Sequence, residues 1–436
     1  MKEIKSKKPY FLFNRPNGLK AVFWPLKGIQ AVAVYLWIKA GCWNEIEIKN
    51  GTFHFLEHVL AHGTKKYPSF TKLSLKEEDL GILASHSVGG ASSKFSWRVP
   101  KETFSESLQL LSECVFSPLF PNEGIERERK IILQEYFDYW DYPENRFFFN
   151  LSEKYWGKNH PYTFDPRGKP ETIKEITRED LISAHQRYNC PERMVLVIVG
   201  DLEPSLVEKK ITKCFHQARG KENSEITFRL PKFSKKFFFQ KERINQVAFS
   251  GWFPIFQLKP DDWQKVYSVA MISYLLGSSL RSRLTQLLRE KEPLAYSVGS
   301  SFISYPEGIM FKIGFSASLE NTARIMEIIR KEIEKIKKEG FTQEEFKSAQ
   351  KYWIYQISMS NDSVWTIAGN LVDDLFWRKK IYLPEDLQAV VKKISNEDLI
   401  RAAGEIFDFD KATIGFMSNS KNIKSLKNSI LDRSSK

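Results

Sequence analysis

Cysteine is scarce in this chain. The four that occur in its 436 residues, Cys42, Cys114, Cys190 and Cys214, are widely scattered. They show no CxxC spacing and no disulfide-framework pattern, and free, mostly buried thiols of a cytosolic chain are expected. Also missing is any apolar run long enough to cross a bilayer. The opening Met1–Lys8 has no apolar signal core behind it, so a cytoplasmic location without a membrane partner is expected. The net charge is +13, but the basic residues are dispersed. Lys235-Lys236 runs straight into three phenylalanines, Lys337-Lys338 lies among acids, and no nucleic-acid-binding motif accompanies either pair. A solvated basic surface, not a nucleic-acid partner, is expected. Histidine is limited to seven residues.

What is present fits a globular chain: 42% hydrophobic, 27% charged and 14% aromatic residues. The length fits two domains of roughly 200 residues each. An internal repeat supports that division. Gln30-Ala31-Val32-Ala33-Val34 parallels Gln246-Val247-Ala248-Phe249-Ser250, both reading as buried strands. Helical stretches follow, Phe53–Thr64 closing at Gly63 and Val266–Ser278 closing at Gly277. Later, Ile176–Ile182 parallels Ile394–Ile400, with Thr177 and Ser395 as N-caps and Asp180 and Asp398 three residues on. Each helix leads to a β-rich run, Met194–Val199 and Ala412–Phe416. The fold class is therefore α+β: two homologous α/β sandwich domains from an internal duplication, each a mixed or antiparallel sheet with helices on one face. The expected boundaries are 1–216, a linker at 217–233, 234–418, and a basic, fraying tail at 419–436.

The first helical stretch contains His54-Phe55-Leu56-Glu57-His58. Residues four apart on a helix share a face, so both imidazoles can reach one zinc ion. Glu57, three residues from His54, borders that face and can take a proton from a water that zinc has acidified. A third protein ligand is needed. His62 continues the face, but ligands at i, i+4 and i+8 climb about 12 Å of helix, too far for one ion. In the helical run Ile125–Glu135, Glu128 and Glu135 lie two turns apart on one face. Glu135 could ligate and Glu128 could orient a ligand histidine. Spacing alone leaves an ordinary solvated charged helix equally open.

These residues resemble the pitrilysin/insulinase family of zinc metallopeptidases, the inverzincins with an H-x-x-E-H motif. The family's third ligand is a glutamate roughly 75 to 80 residues after the second histidine, in a helix similar to Glu126-Arg127-Glu128-Arg129 followed by Glu135. The resemblance thus implies His54, His58 and Glu135 as ligands of one Zn2+ per chain, Glu57 as base and Glu128 as supporting acid. Gly63-Thr64-Lys65-Lys66-Tyr67-Pro68 also resembles the family. So does Ser282-Arg283-Leu284 with the segment Leu288–Val298, where Arg289 and Tyr296 occupy the places that hold substrate backbone beside the zinc. An arginine offers a rigid donor fork to a carbonyl, and a tyrosine hydroxyl can stabilise an oxyanion. In the second half, Ser268, Met271 and Ile272 stand at the places of the motif, so that copy cannot bind metal. Where the family shows an Asn-Ala pair on the substrate-receiving strand, Ser85 and His86 occur instead.

The resemblance implies a zinc-dependent endopeptidase that binds peptide as an added β-strand, with Leu83–Ser87 as the receiving edge. It further implies a processing-peptidase-like subunit forming a dimeric chamber. Because Arg289 and Tyr296 accompany the zinc motif in one chain, a homodimer with shared sites is expected. A subunit active only with a different metal-less partner, and a non-catalytic scaffold homologue, are the alternatives.

Overall fold

A computed structural model describes residues 8–217, 229–256 and 261–431. Two sheets form. The first has β1 (Phe11–Asn14), β2 (Lys20–Pro25), β3 (Ala31–Ile38), β4 (Leu83–Val88), β5 (Ser93–Pro100) and β6 (Met194–Gly200) in the order β1-β2-β6-β3-β5-β4. The second has β7 (Lys236–Lys241), β8 (Val247–Phe256), β9 (Ala295–Tyr305), β10 (Gly308–Ala317) and β11 (Thr413–Ser418) in the order β7-β11-β8-β10-β9. The five shared strands follow the same order in both sheets. Each sheet has one parallel pair, β2 with β6 and β7 with β11, and is otherwise antiparallel. The duplication and the two-domain α+β class are thus visible in the topology.

The repeated helices form for the reasons their sequences suggest. In Arg178–Tyr188 and Asn396–Ile406, Thr177 and Ser395 accept from the backbone N–H of Asp180 and Asp398, whose carboxylates accept from the caps' own N–H groups. These reciprocal bonds satisfy donors that a helix start leaves unpaired.

Alternation along β3 divides its side chains. Val32, Val34, Leu36 and Ile38 enter one core with Phe53, Phe55, Leu56, Val59 and Leu60. Tyr35 and Trp37 point to the opposite face and meet Trp365 and Phe376 at 5.6 and 5.5 Å between ring centroids. The helix Val364–Asp373 therefore covers the outer face of the first sheet. In the second sheet, helix Pro143–Trp156 does the equivalent, with Phe147 and Leu151 lying against Gly415, where a Cβ would come within 2.9 Å of them.

The chain accordingly divides into two compact units that each take a segment from the other half of the sequence. One comprises 1–142, 159–229 and 360–381, the other 143–158, 230–359 and 382–436. Most of the expected linker, 218–228, lies outside the described residues. The expected fraying tail begins as a helix, Ser420–Leu431. Ile423 and Leu426, three apart, are buried, and Asn422 donates to the Asn245 carbonyl, so this stretch docks. Among the described residues no helix is long and apolar enough to cross a membrane.

Candidate metal centre

Helix α1 (Thr52–Leu60) buries Phe53, Phe55, Leu56, Val59 and Leu60. What remains, His54, Glu57 and His58, forms the opposite stripe at i, i+3 and i+4. The N-terminus of α1 is fixed by a buried acid. Glu45 is 3% exposed; its Oε1 accepts from Phe53 N at 2.9 Å and its Oε2 from Gly51 N at 2.8 Å. The Asn50 amide also donates to Oε2, at 2.7 Å. Burial pushes the Glu45 carboxyl up to about 7, against the pull of these three donors. Gly51 holds φ +96°, and a Cβ there would lie 2.5 Å from Ile173 Cδ1, so only glycine fits the entry to this helix.

The second wall is α4 (Asn122–Asp141), which follows α2 (Phe70–Asp79) and α3 (Phe104–Phe116). Ile125, Glu128, Ile132 and Glu135 are spaced by three and four and make one stripe. Its isoleucines and Glu128 are buried, while Glu135 is partly open to solvent. Arg129 braces the same helix by donating to the carbonyls of Ile173 and Ile176.

Between the two helices, the Nε2 atoms of His54 and His58 stand 3.3 Å apart, and Glu135 Oε2 lies 3.6 Å from each. Donors placed tetrahedrally about a zinc ion at 2.0–2.1 Å are separated by about 3.3–3.5 Å. The triangle found here therefore fits one zinc with a fourth position open. Among the described residues, the His54, Glu57 and His58 ligand atoms also lie within 4.8 Å of one another. Glu57 and Glu135 thus both offer a carboxylate oxygen near the two imidazoles, and Glu135 Oε2 stands at nearly tetrahedral spacing from each. Glu128 Oε2 is 2.7 Å from His58 Nδ1. A carboxylate only accepts, so Nδ1 carries the hydrogen and His58 turns the lone pair of Nε2 toward Glu135 and His54.

The two imidazoles differ in their electrostatics. Burial brings the His54 imidazole down to about 3, keeping it neutral. For His58, burial acts downward but is outweighed by the carboxylates of Glu128, Glu57 and Glu135, and the net shift is upward. Burial raises Glu57 above the usual carboxylate range, with Glu135 and Glu128 adding to the rise. That is the direction that makes a carboxylate a stronger base. Glu128 is held down at about 2, its own burial being overcome by hydrogen bonds from His58 and His62.

His54, Glu57, His58, Glu128 and Glu135 are thus brought together in the first unit. Arg289 and Tyr296 belong to the second, exposed on the helical turn Gln286–Lys291 and at the start of β9. The residues at the motif's places in the second copy are core: Ser268 donates to the Gln264 carbonyl, and Met271 and Ile272 are fully buried. His62 does not join the three donors; its Nε2 is bonded to Glu128 Oε1 at 2.8 Å. The expected receiving strand, β4, is the outer strand of its sheet, with Leu83, Ala84, Ser85 and Ser87 exposed. His86 turns inward, and its Nε2 accepts from the Trp97 indole at 2.9 Å. Sequence reasoning missed Glu45, whose acidic signal lies in an irregular stretch. It also missed the bond from His62 to Glu128, although the i+4 step from His58 was visible.

Comparison with known proteins places the chain in a family. The family model described as insulinase (peptidase family M16) matches residues 26–163, and the one described as peptidase M16 inactive domain matches 175–352. An uncharacterized zinc protease of Bacillus subtilis, YmxG, is 24% identical, with 80% of this chain and 83% of that protein covered. A probable inactive metalloprotease of the same bacterium, YmfF, is also 24% identical, covering 80% and 85%. A crystal structure of a peptidase M16 inactive domain from Pseudomonas fluorescens superposes with a TM-score of 0.85 at 20% identity, covering 94% of this chain and 98% of that one. With a duplicated fold whose first copy alone keeps the paired histidines, the chain belongs to the insulinase family of peptidases, family M16.

Proposed function

We propose that the chain is a zinc-dependent endopeptidase acting on peptides or unfolded segments in the cytoplasm, with Glu57 as its base. The observation that carries this is the donor triangle of His54, His58 and Glu135, with a Glu57 carboxylate oxygen within 4.8 Å of the two imidazoles. The relatives named as zinc proteases support the metal, and the four free, buried cysteines suit a reducing compartment. Zinc, when bound, acidifies a water and polarises the scissile carbonyl. Glu57 accepts the proton of the attacking water and returns it to the leaving amine. Glu128 holds His58 in its ligating tautomer, and Arg289 and Tyr296 hold the substrate backbone and the developing oxyanion. The outer edge of β4 offers main-chain groups to an extended peptide, which gives affinity with little dependence on side chains.

The test is zinc content and cleavage of a quenched peptide library by the wild type and Glu57→Gln. The reading expects about one zinc per chain in both and a loss of roughly 10²-fold or more in cleavage by the variant. A wild type without zinc overturns it in favour of a scaffold, the reading that the inactive relative favours. Zinc without cleavage by the lone chain points to a missing partner subunit. Shared sites in a homodimer predict that mixing Glu57→Gln with Arg289→Ala chains restores part of the activity, and no restoration refutes sharing.

A further inference from the structure

His62 lies one turn beyond His58, just past the end of α1, and is 4% exposed. Its Nε2 is 2.8 Å from Glu128 Oε1, while the other oxygen of that carboxylate is 2.7 Å from His58 Nδ1. The pocket is shaped for the ring. A Cβ on Gly124 would stand 2.9 Å from His62 Nδ1, and the Phe70 ring lies 5.3 Å away on a tilted plane. Apart from His62 itself, the cation near Glu128 Oε1 among the described ion pairs is Arg127, at 3.9 Å and beyond hydrogen-bond reach.

We propose that His62 is a positioning residue for the metal: it pins the second oxygen of Glu128 and so fixes the tautomer and ring orientation of His58. This rests on the zinc-site reading above. A glutamate has three rotatable bonds, and a hydrogen bond at one oxygen leaves the carboxylate free to swing about that bond. A second donor on the other oxygen sets the plane. Without it, Oε1 would remain a buried acceptor lacking a partner, and the carboxylate would turn toward solvent or Arg127 at the expense of His58. The chain thus orients its ligand through a line of three side chains, His62, Glu128 and His58, of which only the last faces the donor triangle.

The experiment compares the full-length wild type with His62→Leu and His62→Gln, using zinc affinity by chelator competition and the visible spectrum of the cobalt-substituted proteins. Leucine fills the pocket without a donor; glutamine places an amide N–H near the position of Nε2. The expectation is a roughly tenfold or greater loss of zinc affinity and an altered cobalt spectrum in His62→Leu, with both largely restored in His62→Gln. Far-UV circular dichroism and the urea midpoint of the metal-free proteins separate misfolding from this effect. Wild-type affinity and spectrum in His62→Leu overturn the inference while leaving the zinc site standing. Equal losses in both variants overturn it in favour of simple packing. A wild type that binds no zinc overturns the site reading and this inference together.

Discussion

Replacing Glu45 by glutamine tests how the buried cap of α1 is held. The carboxyl is 3% exposed and meets three N–H donors, from Gly51, Phe53 and Asn50. Burial dominates, with the neighbouring Asp165 adding to it, and raises the group from 4.5 to about 7. In the window between those values the unfolded chain has released the proton while the folded chain retains it. The folded state thus binds more protons, and stability falls as pH rises. The term is fully present below about 4.5 and is lost by the time pH has passed 7. Between pH 5 and pH 8 the wild type should lose about 2–3 kcal/mol through this one group. Glutamine has no such term, but its amide N–H2 must face one of the donors, leaving a buried N–H unpaired at a cost of about 1–3 kcal/mol. The wild type is therefore the more stable at pH 5, and the difference shrinks or reverses by pH 8. Urea unfolding of both proteins in a chelator at pH 5, 6.5 and 8 measures it. A stability advantage of the wild type that grows with pH would refute the reasoning. It would show that the N–H donors and the helix N-terminus stabilise the carboxylate more than burial opposes it.

Gly51→Ala places a Cβ 2.5 Å from Ile173 Cδ1 at a φ of +96°. A loss of about 1–3 kcal/mol in urea unfolding, with weaker zinc binding, is expected, and an unchanged midpoint would count against this account of the helix entry. His86 is brought to about 4 by burial, and its Nε2 accepts from Trp97. Nitrogen-15 NMR should therefore show a neutral ring protonated at Nδ1 down to about pH 5, whereas titration near 6.5 would disprove it. Lys312, on β10 over the Trp252 ring at 4.7 Å, is lowered to about 8 by burial. Between pH 8 and 10.5 the unfolded chain holds the extra proton, so stability rises with pH there. Lys312→Met should abolish that rise and raise the urea midpoint at pH 7; a variant less stable than the wild type at pH 7 would refute it.

The duplication was legible because strand and helix periods repeat in order, and because Thr177/Asp180 and Ser395/Asp398 are local signals that need no tertiary information. His54, Glu57 and His58 were legible for the same reason: one helix turn fixes their mutual placement. Glu135 is different. Its spacing from Glu128 marked a common face, but which neighbour that face meets is a tertiary fact, and only the resemblance singled it out. The exchange of 143–158 and 360–381 between the two units left no trace in periodicity, because an amphipathic helix reads alike whichever sheet it covers. Glu45 was silent for a related reason: an acid in an irregular stretch reads as solvated until the backbone folds α1 over it. Ile125, Glu128, Ile132 and Glu135 show how a site grows out of a core pattern. The stripe that packs α4 with isoleucine at two positions carries acids at the other two, one buried against His58 and His62 and one forming the third corner of the donor triangle. A buried carboxylate is tolerated there because each of its oxygens has an imidazole partner. The positions at which the apolar period breaks are therefore the positions that face the histidines of α1.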